Sequence, residues 1–277
     1  MRSVFQSIPR AAERLIVATL FWLTFISIAI AAAARGAGLV DVPQLGLRIA
    51  AGFRVNLFAN ETLADDIYAM TLNAHGEVVV TGRGYIRTLL DDDGDGVADR
   101  AIDYAHSPMG GMGLCFDGDD LLFVGDGAVW RFQDSNGDRQ ADAAPERLMA
   151  LQSGEHGGHA VHKGPDGGWY ILGGNDSQFQ MVPVSGLTFP AGKIEGGALL
   201  RVAPNVRGVR WVAEGFRNPY DFDWNAVGDL FTYDSDVERD VFLPWYLPTR
   251  IYHIAPGGHH GWRLEGYTRS WPRPGRY

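Results

Sequence analysis

The sequence predicts an all-β fold, a β-propeller built from four-stranded blades. Glycine (36 residues) and proline (14 residues) are frequent among the 277 residues, which favours many turns over long helices. A strand-turn-strand segment recurs along the chain, and helical periodicity is nearly absent after residue 60. Units of this kind that repeat about every 40–50 residues are typical of β-propellers.

Four copies of one segment define the repeat. Each copy has a polar turn with Asp or Asn and Gly, followed by three or four apolar or aromatic residues, which predicts a tight turn leading into a buried strand. The copies occupy residues 72–82, 116–126, 163–174 and 224–234 and are anchored on Gly76, Gly118, Gly167 and Gly228, at spacings of 42, 49 and 61 residues. Further strands are predicted at 85–90, 128–133 and 52–59. A β-sandwich with coincidental turns is the alternative fold.

The predicted propeller domain covers residues 45–277 and is incomplete at its C-terminal end. Propellers close with about four to eight blades. Four copies plus the strand at 52–59 fall short of a six-bladed propeller. The final residues, RSWPRPGRY, contain no closing strand pattern. The sequence therefore predicts a partial propeller that lacks its last blades.

Residues 1–34 are predicted to be a signal peptide or a membrane anchor that forms an apolar helix. Residues 15–34 contain no charged residue, and arginines stand on both sides of them. Twenty apolar residues are long enough to cross a bilayer, whereas the small residues at Ala32–Ala34 favour cleavage. In both cases the following domain is exported, either free in the periplasm or anchored by residues 15–34 and facing the periplasm.

Charge and cysteine content exclude several classes of partner. The formal net charge of −9 argues against nucleic-acid binding, which requires clustered Lys and Arg. The single cysteine, Cys115, excludes an internal disulfide, a Cys-rich zinc site and a Cys-x-x-Cys-His haem attachment on this chain.

Two acidic loops predict calcium sites. Oxygen-bearing side chains occur at relative positions 1, 3, 5 and 9 of residues 91–99 and again of residues 134–142, an alternation that suits a hard cation. The predicted ligands are Asp91, Asp93, Asp95 and Asp99 in the first loop and Asp134, Asn136, Asp138 and Asp142 in the second. Ile102 and Pro145 stand where an EF-hand-type loop has its bidentate Glu at position 12. The alternative is a pair of solvated turns without a metal.

Three segments contain groups suited to redox or hydrolytic chemistry. Residues 154–175 place Glu155 and His156 before two glycines, and a His beside a carboxylate suits general-base catalysis. A metal site built from His156, His159 and His162 is disfavoured, because odd spacings alternate between the faces of a strand.

The other two segments carry a cation, an amide and an indole. Residues 214–224 place Arg217 and Asn218 before Pro219, at the start of a predicted strand. Residues 255–267 form a Gly-rich turn that includes Trp262, and an indole with nearby glycines suits a flat aromatic ligand. Taken singly, each segment is equally consistent with an ordinary propeller turn.

The combination of segments resembles the soluble glucose/sorbosone dehydrogenase family of quinoprotein propellers. It is most similar to the N-terminal propeller of the membrane-bound dehydrogenase-type proteins abundant in planctomycetes, which share the acidic hairpins and the stretch at 231–250. The resemblance extends over about residues 45–270. It implies a six-bladed propeller that binds pyrroloquinoline quinone (PQQ) and Ca²⁺ on one face.

The resemblance also implies residue roles. His156 matches the catalytic base, and Glu155 matches an acidic neighbour of that base. Arg217 and Asn218 match a pair that contacts the quinone carbonyl, and the backbone around Ser235 and Asp236 falls where the calcium of the cofactor accepts peptide carbonyls. The implied activity is the oxidation of a sugar or other alcohol, with hydride transfer to PQQ and a cytochrome as electron acceptor.

Two alternative functions stay open at this point. The first is a non-catalytic, calcium-stabilised propeller that binds carbohydrate or protein. The second is a hydrolytic propeller of the lactonase type, which uses calcium and carboxylates. The dehydrogenase hypothesis requires His156, Arg217 and Asn218 to converge on one face near the propeller axis.

Overall fold

The computed structural model describes residues 38–151, 154–181, 194–205, 208–235, 242, 244 and 248–262. The chain divides into two compact units, residues 1–57 and residues 58–277. In the described part of the first unit, strands β1 (Leu39–Val42) and β2 (Leu47–Ala50) form an antiparallel hairpin around a 3-10 turn at Pro43–Leu45. The predicted apolar helix lies outside the described residues. Among the described residues, none forms a helix with the length and apolarity needed to cross a membrane.

The second unit is all-β and arranges four sheets in a propeller-like ring. Sheet 1 contains β3 (Ala69–Leu72), β4 (Val78–Gly82), β5 (Tyr85–Leu90) and β6 (Arg100–Ala105), and sheet 2 contains β7 (Gly111–Asp117), β8 (Asp120–Gly125), β9 (Ala128–Gln133) and β10 (Glu146–Ala150). Sheet 3 contains β11 (Gly158–Lys163), β12 (Trp169–Gly173), β14 (Gly197–Val202) and β15 (Val209–Phe216), and sheet 4 contains β16 (Phe222–Trp224), β17 (Leu230–Asp234) and β18 (Arg250–Ile254). The short strands β13 (Gln180–Met181) and β19 (Gly258–His259) extend sheets 2 and 3.

Apart from β19, which pairs with β15 in parallel, the strands of each sheet form an antiparallel meander in chain order, the topology predicted for a blade. Sheet 4 has three strands among the described residues instead of the predicted four. The strands predicted at 85–90 and 128–133 are confirmed as β5 and β9. The four anchor glycines of the repeat have φ angles between 62° and 91°, so each occupies a left-handed turn position that disfavours other residues. The six blades implied by the resemblance are not confirmed; the described residues of the second unit form four sheets.

The prediction of a strand at residues 52–59 is wrong. Gly52 has a φ of 95° in a turn after β2, and residues 53–60 form no strand. Phe53 and Leu57 are exposed rather than packed on one face. Alternating apolar residues form a strand only where a neighbouring strand pairs with them, and no strand of the described residues pairs with residues 53–59.

The core lies between successive sheets. One buried cluster joins sheets 2 and 3 through residues such as Leu122, Val124 and Ile171, and Trp169 is only 2% exposed within it. Similar clusters join sheets 1 and 2 and sheets 3 and 4. This packing of each sheet against the next holds the blades of the ring in register.

The direction of the strands decides which loops meet. Because the first two strands of each sheet are antiparallel, the loop before the first strand and the loop after the second strand lie at the same end of the ring. The turns at the repeat glycines and the acidic loops lie at the opposite end. The loops that contain His156 and Arg217 therefore share one end, away from the predicted calcium loops.

Candidate functional site

Three loops bring an imidazole, a guanidinium and a side-chain amide together at this end of the ring. Residues 154–157 precede β11, residues 174–177 follow β12, and residues 217–221 precede β16. We refer to His156, His159, Asn175, Arg217, Asn218 and Asp234 as the His–Arg cluster, since hydrogen bonds connect them directly or through the backbone.

His156 is 9% exposed and is held by the loop after β12. Its Nδ1 atom lies 2.6 Å from Oδ1 of Asn175, whose backbone N–H donates to the carbonyl of Arg217 at 2.8 Å. This approach requires glycine at position 174, because a Cβ there would lie 2.6 Å from the carbonyl oxygen of His156. The two ring nitrogens of His156 thus differ, because Nε2 makes no hydrogen bond with a described residue.

Arg217 is 6% exposed, so its charge is buried beside the imidazole loop. Its Nη1 donates to Oγ of Ser235 at 2.7 Å, and its guanidinium carbon lies 5.4 Å from the ring centroid of Trp262. An arginine over an indole face is a favourable cation–π arrangement. Two residues predicted to bind the cofactor, Ser235 and Trp262, therefore contact Arg217 directly.

Asn218 is oriented by a histidine of the first strand of sheet 3. Nε2 of His159 lies 2.7 Å from Oδ1 of Asn218, which leaves Nδ2 of Asn218 without a partner among the described residues. Burial lowers the pKa of His159 below its ordinary value, which the hydrogen bond to Asn218 partly opposes. His162 instead bonds Asp221 at 2.7 Å, so the three histidines have three different partners. In the described part of the chain they do not form a metal-binding group.

Asp234, which sequence reasoning missed, holds the Arg217 loop in place. Its carboxylate accepts the backbone N–H groups of Arg217 (2.9 Å), Asn218 (2.7 Å) and Ser235 (2.8 Å). Burial raises the pKa of this carboxyl, and the three N–H donors act in the opposite direction. Asp234 therefore fixes the backbone that presents Arg217 and Asn218.

A similar carboxylate recurs in the two preceding sheets. Asp126 accepts the Ser107 hydroxyl at 2.8 Å and the backbone N–H of Met109 at 2.7 Å. Asp176 accepts the backbone N–H of His156 at 3.3 Å. In sheets 2, 3 and 4, an aspartate at or just after the end of the second strand thus holds the loop that enters the first strand.

Two of the predicted cofactor-binding residues do not join the cluster. Glu155 is exposed and makes no hydrogen bond with a described residue, although it is next to His156 in the chain. Asp236 lies outside the described residues. The structure thus brings together His156, Arg217, Asn218, Ser235 and Trp262, and their roles stay predictions.

Both acidic loops fold around their first aspartate. Asp91 accepts the N–H groups of Gly94, Asp95 and Gly96, and Asp134 accepts those of Gly137, Asp138 and Arg139. Ligand oxygens of Asp91, Asp93 and Asp99 lie within 4.8 Å of one another, whereas Asp95 is outside that group.

The second acidic loop differs at Arg139, which replaces Gly96 of the first. Arg139 has a φ of 67° and forms a bidentate ion pair with Glu77, whose shortest contact is 2.6 Å. Arg139 thus brings a positive charge into the second predicted calcium loop, and its hydrogen bonds lower the pKa of Glu77. No metal-binding group of three His, Cys or acidic side chains occurs among the described residues of that loop.

His260 of the Gly-rich turn is half-buried against aromatic rings and is not part of the His–Arg cluster. Its ring stacks on Phe216 with a centroid distance of 4.5 Å and an interplanar angle of 15°, and it also contacts Tyr252. Burial lowers the pKa of His260 from 6.5 to about 4.

We therefore expect His260 to make stability depend on pH. Between about pH 6.5 and 4 the unfolded chain binds a proton at His260 that the folded chain does not. The contribution of His260 to the free energy of unfolding is then largest above pH 6.5, is lost on acidification through this window, and levels off below pH 4. The full difference between 6.5 and about 4 corresponds to about 3.4 kcal/mol, and solvent screening of the partly exposed ring reduces the expected fall to about 2 kcal/mol. Urea denaturation at a series of pH values measures this, with His260→Phe as the control that removes the proton site but keeps an aromatic ring. Equal pH slopes for the two proteins would contradict this role of His260.

The fold and the His–Arg cluster together define a β-propeller with a buried imidazole–guanidinium site on one end. A family model for a domain of unknown function, DUF7133, matches residues 45–242, and the chain belongs to that family. No curated protein matches the chain in sequence.

Several solved structures share the fold, and three of them are described as two sugar dehydrogenases and a carbohydrate-active enzyme. The holo PQQ domain of pyranose dehydrogenase from Coprinopsis cinerea has a TM-score of 0.51 and 13% identity, over 70% of this chain and 53% of that one. The PQQ-bound aldose sugar dehydrogenase from Streptomyces coelicolor has a TM-score of 0.52 and 18% identity, over 75% and 66%. A calcium structure of a Trichoderma reesei family AA12 carbohydrate-active enzyme has a TM-score of 0.52 and 13% identity, over 74% and 59%. The chain thus spans between half and two thirds of the length of these structures, and the similarity shows the shared fold.

Proposed function

We propose that the chain is an exported, PQQ-dependent dehydrogenase domain that oxidises a sugar or another alcohol. The observation that carries the proposal is the convergence of His156, Arg217 and Asn218 at one end of the propeller. The descriptions of the solved propellers, two of them PQQ forms, support the same assignment. Residues 15–34 would serve as the export signal or the tether to the membrane, with a cytochrome as electron acceptor.

The donor set of the cluster fits a planar, anionic quinone. Arg217 supplies a buried positive charge beside the Trp262 ring, and Nδ2 of Asn218 is a donor without a partner among the described residues. PQQ carries carboxylates and adjacent carbonyl groups, which require such donors. Arg217 and Asn218 would therefore hold the quinone, with the indole of Trp262 next to them.

The residues of the cluster would have different roles in alcohol oxidation. Bound PQQ would supply a two-electron acceptor for the hydride. Nε2 of His156 accepts the hydroxyl proton of the alcohol, because Nδ1 is already engaged with Asn175. Arg217 and Asn218 would donate N–H groups to the quinone and so stabilise negative charge on it.

One observation favours a non-catalytic binding module as the second candidate. The partner of His156 is the neutral amide of Asn175, which stabilises an imidazolium less than a carboxylate does. A propeller that binds carbohydrate or protein without turnover would tolerate that difference.

The deciding experiment is dye reduction by the full chain loaded with PQQ and Ca²⁺. We expect the chain to reduce an artificial electron acceptor when an aldose or alcohol is added. This reduction should require both PQQ and Ca²⁺. A panel of aldoses, primary alcohols and secondary alcohols identifies the substrate class. Saturable carbohydrate binding without any dye reduction would replace this proposal with the binding module.

We further propose that Ca²⁺ stabilises the chain through the acidic loops, chiefly through residues 91–99. A ligand that binds only the folded state at about 100 times its Kd adds about 2.7 kcal/mol to the free energy of unfolding. Thermal unfolding in Ca²⁺ and in EDTA measures the shift, which Asp93→Asn should reduce strongly and Asp138→Asn weakly, because Arg139 already brings a positive charge into the second loop. No shift in the melting temperature between Ca²⁺ and EDTA would contradict the calcium sites.

A further inference from the structure

We infer that Asp176 is a positioning residue that sets the tautomer of His156 through the side-chain amide of Asn175. The inference rests on the proposed function, since it concerns the residue assigned as the base, but it describes a property of the chain that is measured without activity. It starts from three contacts in the loop after β12.

The first two contacts form a chain of hydrogen bonds. Nδ2 of Asn175 donates to Oδ1 of Asp176 at 3.0 Å, and Oδ1 of Asn175 lies 2.6 Å from Nδ1 of His156. A carboxylate only accepts hydrogen bonds, so the group of Asn175 that faces Asp176 is its NH₂ group. The amide oxygen must then face His156.

The orientation of the amide decides where the His156 proton lies. An amide oxygen only accepts, so Nδ1 of His156 carries the proton when the ring is neutral. Reversing the amide would place its oxygen against the carboxylate of Asp176 and lose a charge-assisted hydrogen bond. Asp176 therefore selects the Nδ1–H tautomer, whose Nε2 has the lone pair that a base requires.

Asp176 can select an orientation because it is itself fixed. Its Oδ2 accepts the backbone N–H of His156 at 3.3 Å, and its own N–H donates to the carbonyl of His156 at 3.0 Å. Gly154 packs against it so closely that a Cβ on Gly154 would lie 2.7 Å from that of Asp176. The carboxylate and the imidazole thus belong to one rigid pair of loops.

The tautomer of His156 is measured directly by ¹⁵N NMR of the full chain without cofactor. Protonated and unprotonated ring nitrogens resonate far apart, and the His156 signals are assigned by their loss in His156→Gln. We expect a single Nδ1–H tautomer in the wild-type chain. In Asp176→Asn, which keeps the size of the side chain but allows it to donate, we expect a mixture of both tautomers.

A second substitution separates this role from a structural one. In the double variant Asn175→Asp with Asp176→Asn, residue 175 offers an acceptor in either orientation, so the Nδ1–H tautomer should return. Asp126→Asn, at the similar position of sheet 2, is the matched control and should leave the His156 signals unchanged. An Nε2–H tautomer in the wild-type chain, an unchanged Asp176→Asn spectrum, or no rescue in the double variant would overturn the inference. Confirmed tautomers together with absent dye reduction would refute only the proposed function.

Discussion

Replacing His156 with glutamine is expected to lower kcat for dye reduction by about 10²–10⁴-fold, the usual contribution of a general base. Glutamine is polar and of similar size, but its amide cannot take the alcohol proton that Nε2 of histidine accepts. The measurement is steady-state dye reduction by the PQQ- and Ca²⁺-loaded chain at saturating substrate.

The matched control for His156 is His162→Gln on strand β11. His162 is more exposed and bonds Asp221 instead of a residue of the His–Arg cluster. The kcat of His162→Gln should therefore stay within about twofold of that of the wild type. If the two variants lost activity equally, the loss would reflect altered folding of the strand, and His156 would not be the base.

Replacing Asp234 with alanine is expected to lower the free energy of unfolding by about 3 kcal/mol. The substitution leaves the backbone N–H groups of Arg217, Asn218 and Ser235 without their acceptor, and a buried donor left unsatisfied costs about 1–3 kcal/mol. Urea denaturation of the full chain measures the change.

Asp223→Ala is the control for Asp234 within the same sheet. Asp223 is exposed and, among the described residues, accepts only the N–H of the adjacent Trp224, so its loss should cost no more than about 0.5 kcal/mol. A cost below about 1 kcal/mol for Asp234→Ala would show that this carboxylate does not hold the loop.

The blades were predictable because their signals are local. A left-handed glycine such as Gly76 or Gly118 and the apolar run that follows it define a turn and a strand within about ten residues. The strand at 52–59 failed because its pattern contains nothing about whether a pairing strand is available. The number of neighbours a strand has is a property of the assembled ring.

The candidate site was predictable only in part, because its contacts join residues far apart in the chain. His156 and Arg217 were found through the motifs that surround them. Asn175 is hydrogen-bonded to His156, which lies 19 residues away in the chain, and His159 is hydrogen-bonded to Asn218, which lies 59 residues away. No local spacing indicates such pairs, because each partner sits in a turn that is ordinary for a propeller.

The role of Asp234 could have been predicted from the repeats themselves. The second repeat ends at Asp126 and the fourth at Asp234, each at the end of a buried strand. An aspartate at the same point of two repeats indicates a shared structural task, here the binding of backbone N–H groups in the next loop.

A fluorescence titration that measures PQQ binding to the full chain in the presence of Ca²⁺ tests the assignment of the His–Arg cluster most directly. We expect saturable binding of one PQQ per chain, weakened about 10–100-fold by Arg217→Met, since a hydrogen bond to a charged group contributes about 1.5–3 kcal/mol. Arg201→Met should bind as wild type, because Arg201 pairs with Asp166 at the opposite end of the ring. Absent saturation, or equal affinities for all three proteins, would contradict a quinone site at Arg217.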